Sequence, residues 1–408
     1  MIGRRYVVLG TAAAAVLPAL AARPGLAQKK YGPGVTDTEI KIGQTMPYSG
    51  NASAYGVAGR AQAAYFRMIN DAGGINGRKI NFISLDDGYS PPKTVELARQ
   101  LVERDQVLFL FYPLGTQTNT AIHKYMNQKK VPQLFVATGA SKWGDPQHFP
   151  WTIGWAPDYH TEGLIYAKHI LANHKDGKIA ILRQNDDAGN DYLDGVKEGF
   201  GEEYSRLVIA DATYEVTDPT VDSQILQLKN SGANIFIDIT TPKFAAQAIK
   251  KAAEVGWKPI HYLVSIAASI GAVLRPAGFD NAKGLITAQY AKDVTDPRWA
   301  NAPDVVEWRA FMDKWNPTAN QMEGSNVTGY ASAYTLVQVL KACGDDLTRE
   351  NVMRQATSLK NLEVPLLLPG ITISTSPTNY RPIRSVILAR FEDEHWVPFG
   401  DLLTRGKD

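Results

Sequence analysis

Residues 108–141, LFLFYPLGTQTNTAIHKYMNQKKVPQLFVATGAS, decide the fold. An apolar run (LFLFY) opens into a small polar loop at Gly115 and Thr116, a helical stretch follows, and a second apolar run (QLFV) ends in the loop ATGAS. The pattern predicts one βαβ step with both strands buried. A right-handed crossover then sets the two loops side by side at the carboxyl edge of a parallel sheet, where the following helices aim their N-termini. Gly115, Thr116, Gly139, Ala140 and Ser141 are small, offer amides and hydroxyls, and sit where helix starts carry partial positive charge. A carboxylate suits that place.

The alternation extends in both directions. Upstream, TDTEIKIGQTMPYSG predicts a strand over 40–45, a helical pattern over 52–72 closes at Gly73-Gly74, and RKINFISLDDGYS supplies another strand. The next helix starts with Ser90 as cap and Pro91 in its first turn. Strand and helix in turn define a doubly wound α/β class. At 408 residues, 44% of them hydrophobic, the chain exceeds one core of ~100–200 residues, so two lobes are expected. A net charge of +2 without blocks of like charge excludes the electrostatic footprint of a nucleic-acid binder.

Residues 1–27 have a basic start, an apolar run over 6–22 and small residues at Gly25 and Ala27, the pattern of a cleaved export signal. The run is short and alanine-rich against the ~20 residues of a spanning helix, so a periplasmic chain without a stable membrane anchor is expected. Arg4-Arg5 fits twin-arginine and plain secretory export alike. Cys343 is the single cysteine and reads as a helix-face residue. There is no G-x-S-x-G elbow, no Walker loop and no G-x-G-x-x-G after the first strand. His169 and His174 are five apart and share no helix face as a metal pair would. The expectation is a protein without cofactor, metal or catalytic activity.

Taken together, IKIGQTMPYSG, Tyr55-Gly56, INDAGGINGRKI, the strand ending in Asp86-Asp87, PLGTQTN and ATGAS resemble the branched-chain amino-acid (Leu/Ile/Val-binding) type of periplasmic substrate-binding protein, the receptors of ATP-driven importers. The resemblance covers the mature chain and implies the type I fold: two doubly wound α/β lobes joined by three crossing segments. FPWTIGWAPDYH, aromatic and bounded by prolines, fits the first crossing. Lobe one is then expected over 28–155 plus 285–355, with GLITAQYAKD returning to it, and lobe two over 156–284 plus 356–408, including a terminal hairpin in SVILARFEDEHWVPF.

The resemblance also implies that Gly115, Thr116, Gly139, Ala140 and Ser141 hold a ligand carboxylate. Tyr55, with Tyr48 nearby, and Tyr159 after the first crossing are candidate walls of the crevice. In lobe two this chain departs from the amino-acid binders. Ala188 stands where many carry tyrosine, Thr240 and Thr241 replace an aromatic and small residues, and Ser265 stands where the relatives place the acid that pairs with a ligand ammonium. A buried ammonium without that acid costs several kcal/mol. The expected ligand is therefore a small organic acid, best an aromatic carboxylate, delivered by a monomeric receptor to a membrane permease of an ABC importer. The rivals are a branched-chain or other amino acid, and an amide or ligand sensor on the same fold.

Overall fold

The computed structural model describes residues 1–3 and 29–404; the expected export signal and its cleavage point near Gln28 lie outside the described residues. After a short strand β1 (Lys30–Tyr31), the strands β2 (Glu39–Met46), β3 (Lys79–Asp86), β4 (Leu110–Phe111), β5 (Gln133–Val136) and β6 (Thr152–Gly154) form a parallel sheet in the order β3-β2-β4-β5-β6. Helices α1 (Gly56–Asp71), α2 (Pro91–Arg99) and α3 (Thr116–Gln128) connect its strands. Strand β4 is shorter than LFLFY predicts because Tyr112 turns into the left-handed region at φ 54°, just before Pro113. Strand β5 is irregular for the same reason at Phe135, φ 57°.

The second sheet begins after α4 (Tyr159–Asn173) with β7 (Ile179–Gln184), followed by α5 (Asp187–Phe200), β8 (Val208–Tyr214), β9 (Ile235–Ile239), β10 (Ile260–Leu263) and β11 (Ile286–Gln289). Strand β12 (Asp346–Leu347) pairs with β1, and the hairpin β13 (Ser385–Glu392) and β14 (His395–Thr404) completes the sheet in the order β14-β13-β11-β10-β9-β7-β8. Strand β9 is buried along its whole length, as a parallel strand covered by helices on both faces must be. Helices Pro303–Trp315 and Ser325–Cys343 close the core of lobe one, where Tyr65 meets Tyr330 edge to face at 4.9 Å.

Two of the expected lobe boundaries need correction. The stretch GLITAQ does not return to lobe one: β11 pairs with β10 on one side and β13 on the other, and Ile286 and Ala288 are buried in the core of lobe two. The chain crosses after the strand, at 290–292. Conversely, 359–383 was expected in lobe two, yet Leu362, Leu366, Leu368 and Ile373 pack into the core of lobe one. The lobes are therefore 29–154 with 291–383, and 156–289 with 385–404, and the chain passes between them three times.

Helices α4 and α5 approach backbone to backbone. A Cβ on Gly195 would fall 1.9 Å from the His160 carbonyl oxygen, and one on Gly163 2.2 Å from that of Tyr192. Alanine is better than glycine in a helix interior by roughly 0.5–1 kcal/mol, but overpacking against rigid backbone costs about 1–3 kcal/mol. Gly195→Ala should therefore lower the midpoint of urea unfolding, and a raised midpoint would show that the two helices can part freely.

Candidate functional site

The carboxyl ends of the two sheets face each other across a cavity of about 200 Å³. On the lobe-one side it is lined by Tyr55, Gly115, Thr116, Ala137 and Thr138. Helix α3 starts at Thr116 with Gly115 as its N-cap, so no side chain caps its first amides. Those amides have no acceptor within the helix either. The hydroxyls of Thr116 and Thr138 are 2.5 Å apart, both residues almost wholly buried. The Tyr55 hydroxyl is buried on the wall without a hydrogen-bond partner, and burial pushes its pKa well above that of a free phenol. Hydroxyls and amides thus converge where an anion would be held.

Lobe two supplies Ala188, Thr240, Thr241 and Ser265 to the wall. Its helix start is closed: Asp186 Oδ1 accepts from the amides of Ala188 and Gly189 at 3.0 and 3.1 Å. The Thr240 hydroxyl donates to Asp238 at 2.6 Å, and the Thr241 amide to the Tyr214 hydroxyl at 2.9 Å. Behind Ser265 lies an acid that sequence reasoning missed. Glu162, 1% exposed, accepts from the Ser265 amide and hydroxyl, both at 2.7 Å, from Tyr166 at 2.7 Å and from Tyr192 at 3.4 Å.

Six tyrosines line the cavity: Tyr55, Tyr89, Tyr112, Tyr159, Tyr192 and Tyr290. Tyr159 and Tyr192 stack at 4.4 Å with 15° between their planes. Tyr112 follows β4, which ends one residue earlier than LFLFY predicts, and Tyr89 lies three residues past the end of β3, so nearness to a strand end could have flagged both. Tyr48 is not on the wall; its hydroxyl lies 2.5 Å from that of Ser84 in lobe one.

The second half of the expected carboxylate loop is displaced. Because β5 ends at Val136, Ala137 and Thr138 occupy the strand-end position, and Gly139, Ala140 and Ser141 lie beyond the wall. The Gly139 carbonyl accepts from Tyr159 at 2.7 Å. The Ser141 amide and hydroxyl donate to Asp191 of α5 at 2.8 and 2.5 Å. Ser141 therefore bridges the lobes. Beside it Lys142 Nζ reaches Asp187 at 2.6 Å, and this hydrogen bond holds the Asp187 carboxyl below its ordinary range. At the mouth Lys243 Nζ donates to Asn51 at 3.0 Å, while Asn51 donates to the Val216 carbonyl at 2.7 Å.

Elsewhere, His160 pairs with Glu198 at 3.1 Å and His169 with the Tyr262 hydroxyl at 2.7 Å. Among the described residues no group of three acids, histidines or cysteines could hold a metal. Burial pushes the Cys343 thiol up to about 12. No helix among the described residues is long and apolar enough to cross a membrane.

Comparison with known proteins gives a consistent picture. A family model described as "periplasmic binding protein" matches residues 39–395. Leu/Ile/Val-binding protein homolog 2 of Brucella abortus is 24% identical over 344 residues, covering 80% of this chain and 84% of that relative. A branched chain amino acid ABC transporter from Thermus thermophilus with bound valine superposes with a TM-score of 0.81 at 15% identity, over 91% of this chain and 98% of the other. An ABC transporter solute binding protein of R. palustris in complex with benzoate gives 0.74 at 19% identity, over 90% and 98%.

Burial lifts the Glu162 carboxyl above its ordinary 4.5 even though its donors pull it down. The folded protein thus holds this proton more tightly than the unfolded chain. Stability from that proton is full below pH 4.5 and is lost as the pH rises through the folded pKa. The melting temperature of wild type minus that of Glu162→Gln should be largest in acid and fall toward pH 7; a flat or rising difference would mean that the site stabilises the anion.

Proposed function

The chain belongs to the periplasmic binding protein family, whose two-lobed type I fold it carries, and from that premise we propose that it is an exported, monomeric receptor that closes on an amine-free organic acid, best an aromatic carboxylate, and presents it to an ABC permease. No bond is made or broken in this reading.

The observation that carries it is the unequal polarity of the two walls. Lobe one offers uncapped amides, two buried threonine hydroxyls and the unpartnered Tyr55 hydroxyl. Lobe two offers no free charge: Asp186 is taken up by the start of α5 and Glu162 by Ser265, Tyr166 and Tyr192. Among the described residues on the wall Asp293 is the one acid, and its oxygens already accept from Thr295 and from the Trp396 amide. A ligand ammonium would be desolvated there without a carboxylate of its own. A ring gains from the tyrosines, since an aromatic pair is worth ~0.5–1.5 kcal/mol beyond its buried area. The volume, about 200 Å³, is ample for one ring, as a cavity of ~150 Å³ holds benzene. The benzoate-bound neighbour supports the same ligand class.

The amino-acid reading is supported by the Leu/Ile/Val-binding relatives and the valine-bound neighbour. A thermal-shift screen separates the two, because a ligand at a hundred times its Kd stabilises by ~2.7 kcal/mol. Aromatic acids should raise the melting temperature while leucine and valine leave it in place; the reverse pattern transfers the function to amino acids. Tyr55→Phe should keep or raise the melting temperature of the protein alone, since it removes an unpartnered buried hydroxyl, and should weaken acid binding about ten-fold. Unchanged affinity would remove Tyr55 from the site.

A further inference from the structure

We infer that the cleft carries a second, apolar subsite, and that the acid it takes is longer than one ring, an arylalkanoate of phenylpropanoid length. The inference rests on the acid reading above and extends it.

The floor of the cavity in lobe two runs across the ends of β7, β9 and β10, which are neighbours in that order. Two inter-strand spacings make this floor ~10 Å wide. Ala188 follows the first strand, Thr240 the second, and Ile266 and Ile270 the third. The anion-holding groups of lobe one belong to the β7 flank. Thr120, one turn beyond Thr116 on α3, and Lys142, four residues after Thr138, both bond to Asp187 next to Ala188.

The opposite flank is closed by other contacts. The Gly271 amide donates to the Met322 carbonyl at 3.0 Å, and the Gly324 amide to the Ser269 hydroxyl at 3.3 Å. The approach is tight enough that a Cβ on Gly271 would fall 3.0 Å from the Met322 carbonyl carbon. Inside this seal, Ile266, Ala268 and Ile270 of lobe two face Met322 and Val327 of lobe one. Ile266, Ala268 and Met322 are only partly buried, so they keep apolar surface that a ligand would cover. The charged groups near the crossing are engaged elsewhere: Lys292 with Asp304 at 2.6 Å, and Asp293 with Thr295 and Trp396. An acid anchored on Thr116 and Thr138 therefore points its far end toward these apolar side chains, which share the wall with the smaller Ser269, Ser325 and Thr328, while the Met322 sulfur is reached from outside by Arg275 at 3.8 Å.

Titration calorimetry of the purified protein with benzoate, phenylacetate and 3-phenylpropanoate tests this. A buried methylene is worth about a four-fold change in affinity, so 3-phenylpropanoate should bind at least ten-fold more tightly than benzoate. Ala268→Leu, which fills the subsite, should collapse that ratio toward one. Met322→Ala, on a half-buried loop where folding is safe, should shrink it two- to four-fold. Benzoate binding as tightly as the longer acids, or a ratio that neither variant moves, overturns the apolar subsite and leaves the acid reading standing. Leucine binding with no acid of any length overturns both.

Discussion

One almost wholly buried carboxylate, Glu162, holds the lobe-two half of the cleft in shape. Its donors come from α4, from α5 and from the loop after β10. Tyr166, which bonds it, also lies 3.0 Å from the Leu263 carbonyl and accepts from the Ala288 amide at 2.9 Å, so β10 and β11 join the same network. Fully satisfied buried networks of this kind rigidify what surrounds them. Set behind Ser265, the carboxylate takes up the amide and hydroxyl that this loop would otherwise present to the cleft.

The two helix starts that meet across the cleft show how the same local chemistry can be open or closed. Helix α3 begins after a glycine and keeps its amides free, whereas α5 begins after Asp186, which consumes two of them. Lobe one therefore presents open donors to the cleft and lobe two closed ones, and the bridges Ser141–Asp191, Lys142–Asp187 and Asn51–Lys243 tie the two lobes together.

The α/β alternation was legible because buried parallel strands and amphipathic helices leave different periods in the chain, and the loop at Gly115 and Thr116 was legible because glycine before a helix start is a local signal. The second loop was read too far along the chain: β5 ends at Val136 as QLFV implies, but the wall is made by the next two residues, Ala137 and Thr138, while Ser141, three residues beyond Thr138, turns to Asp191 of the other lobe. The return of 286–289 to the second sheet depends on β13, almost a hundred residues away. Reading Ser265 as standing in place of an acid was blind to Glu162, because its approach to Ser265 is set by how α4 lies on the sheet, not by sequence spacing. The tyrosines on the wall come from several separate segments and converge only once both lobes are built.

Two of those tyrosines, Tyr89 and Tyr112, adopt φ values of 62° and 54°. A bulky side chain in that region is strained by an amount on the order of 1–3 kcal/mol, and glycine or asparagine would relax it. Both side chains are also buried in the core of lobe one, and truncating a buried aromatic costs about 3–5 kcal/mol, more than the strain it would relieve. The same rings that furnish the cleft thus anchor their own strained backbone, and the wall of the cleft and the core of lobe one share these two side chains.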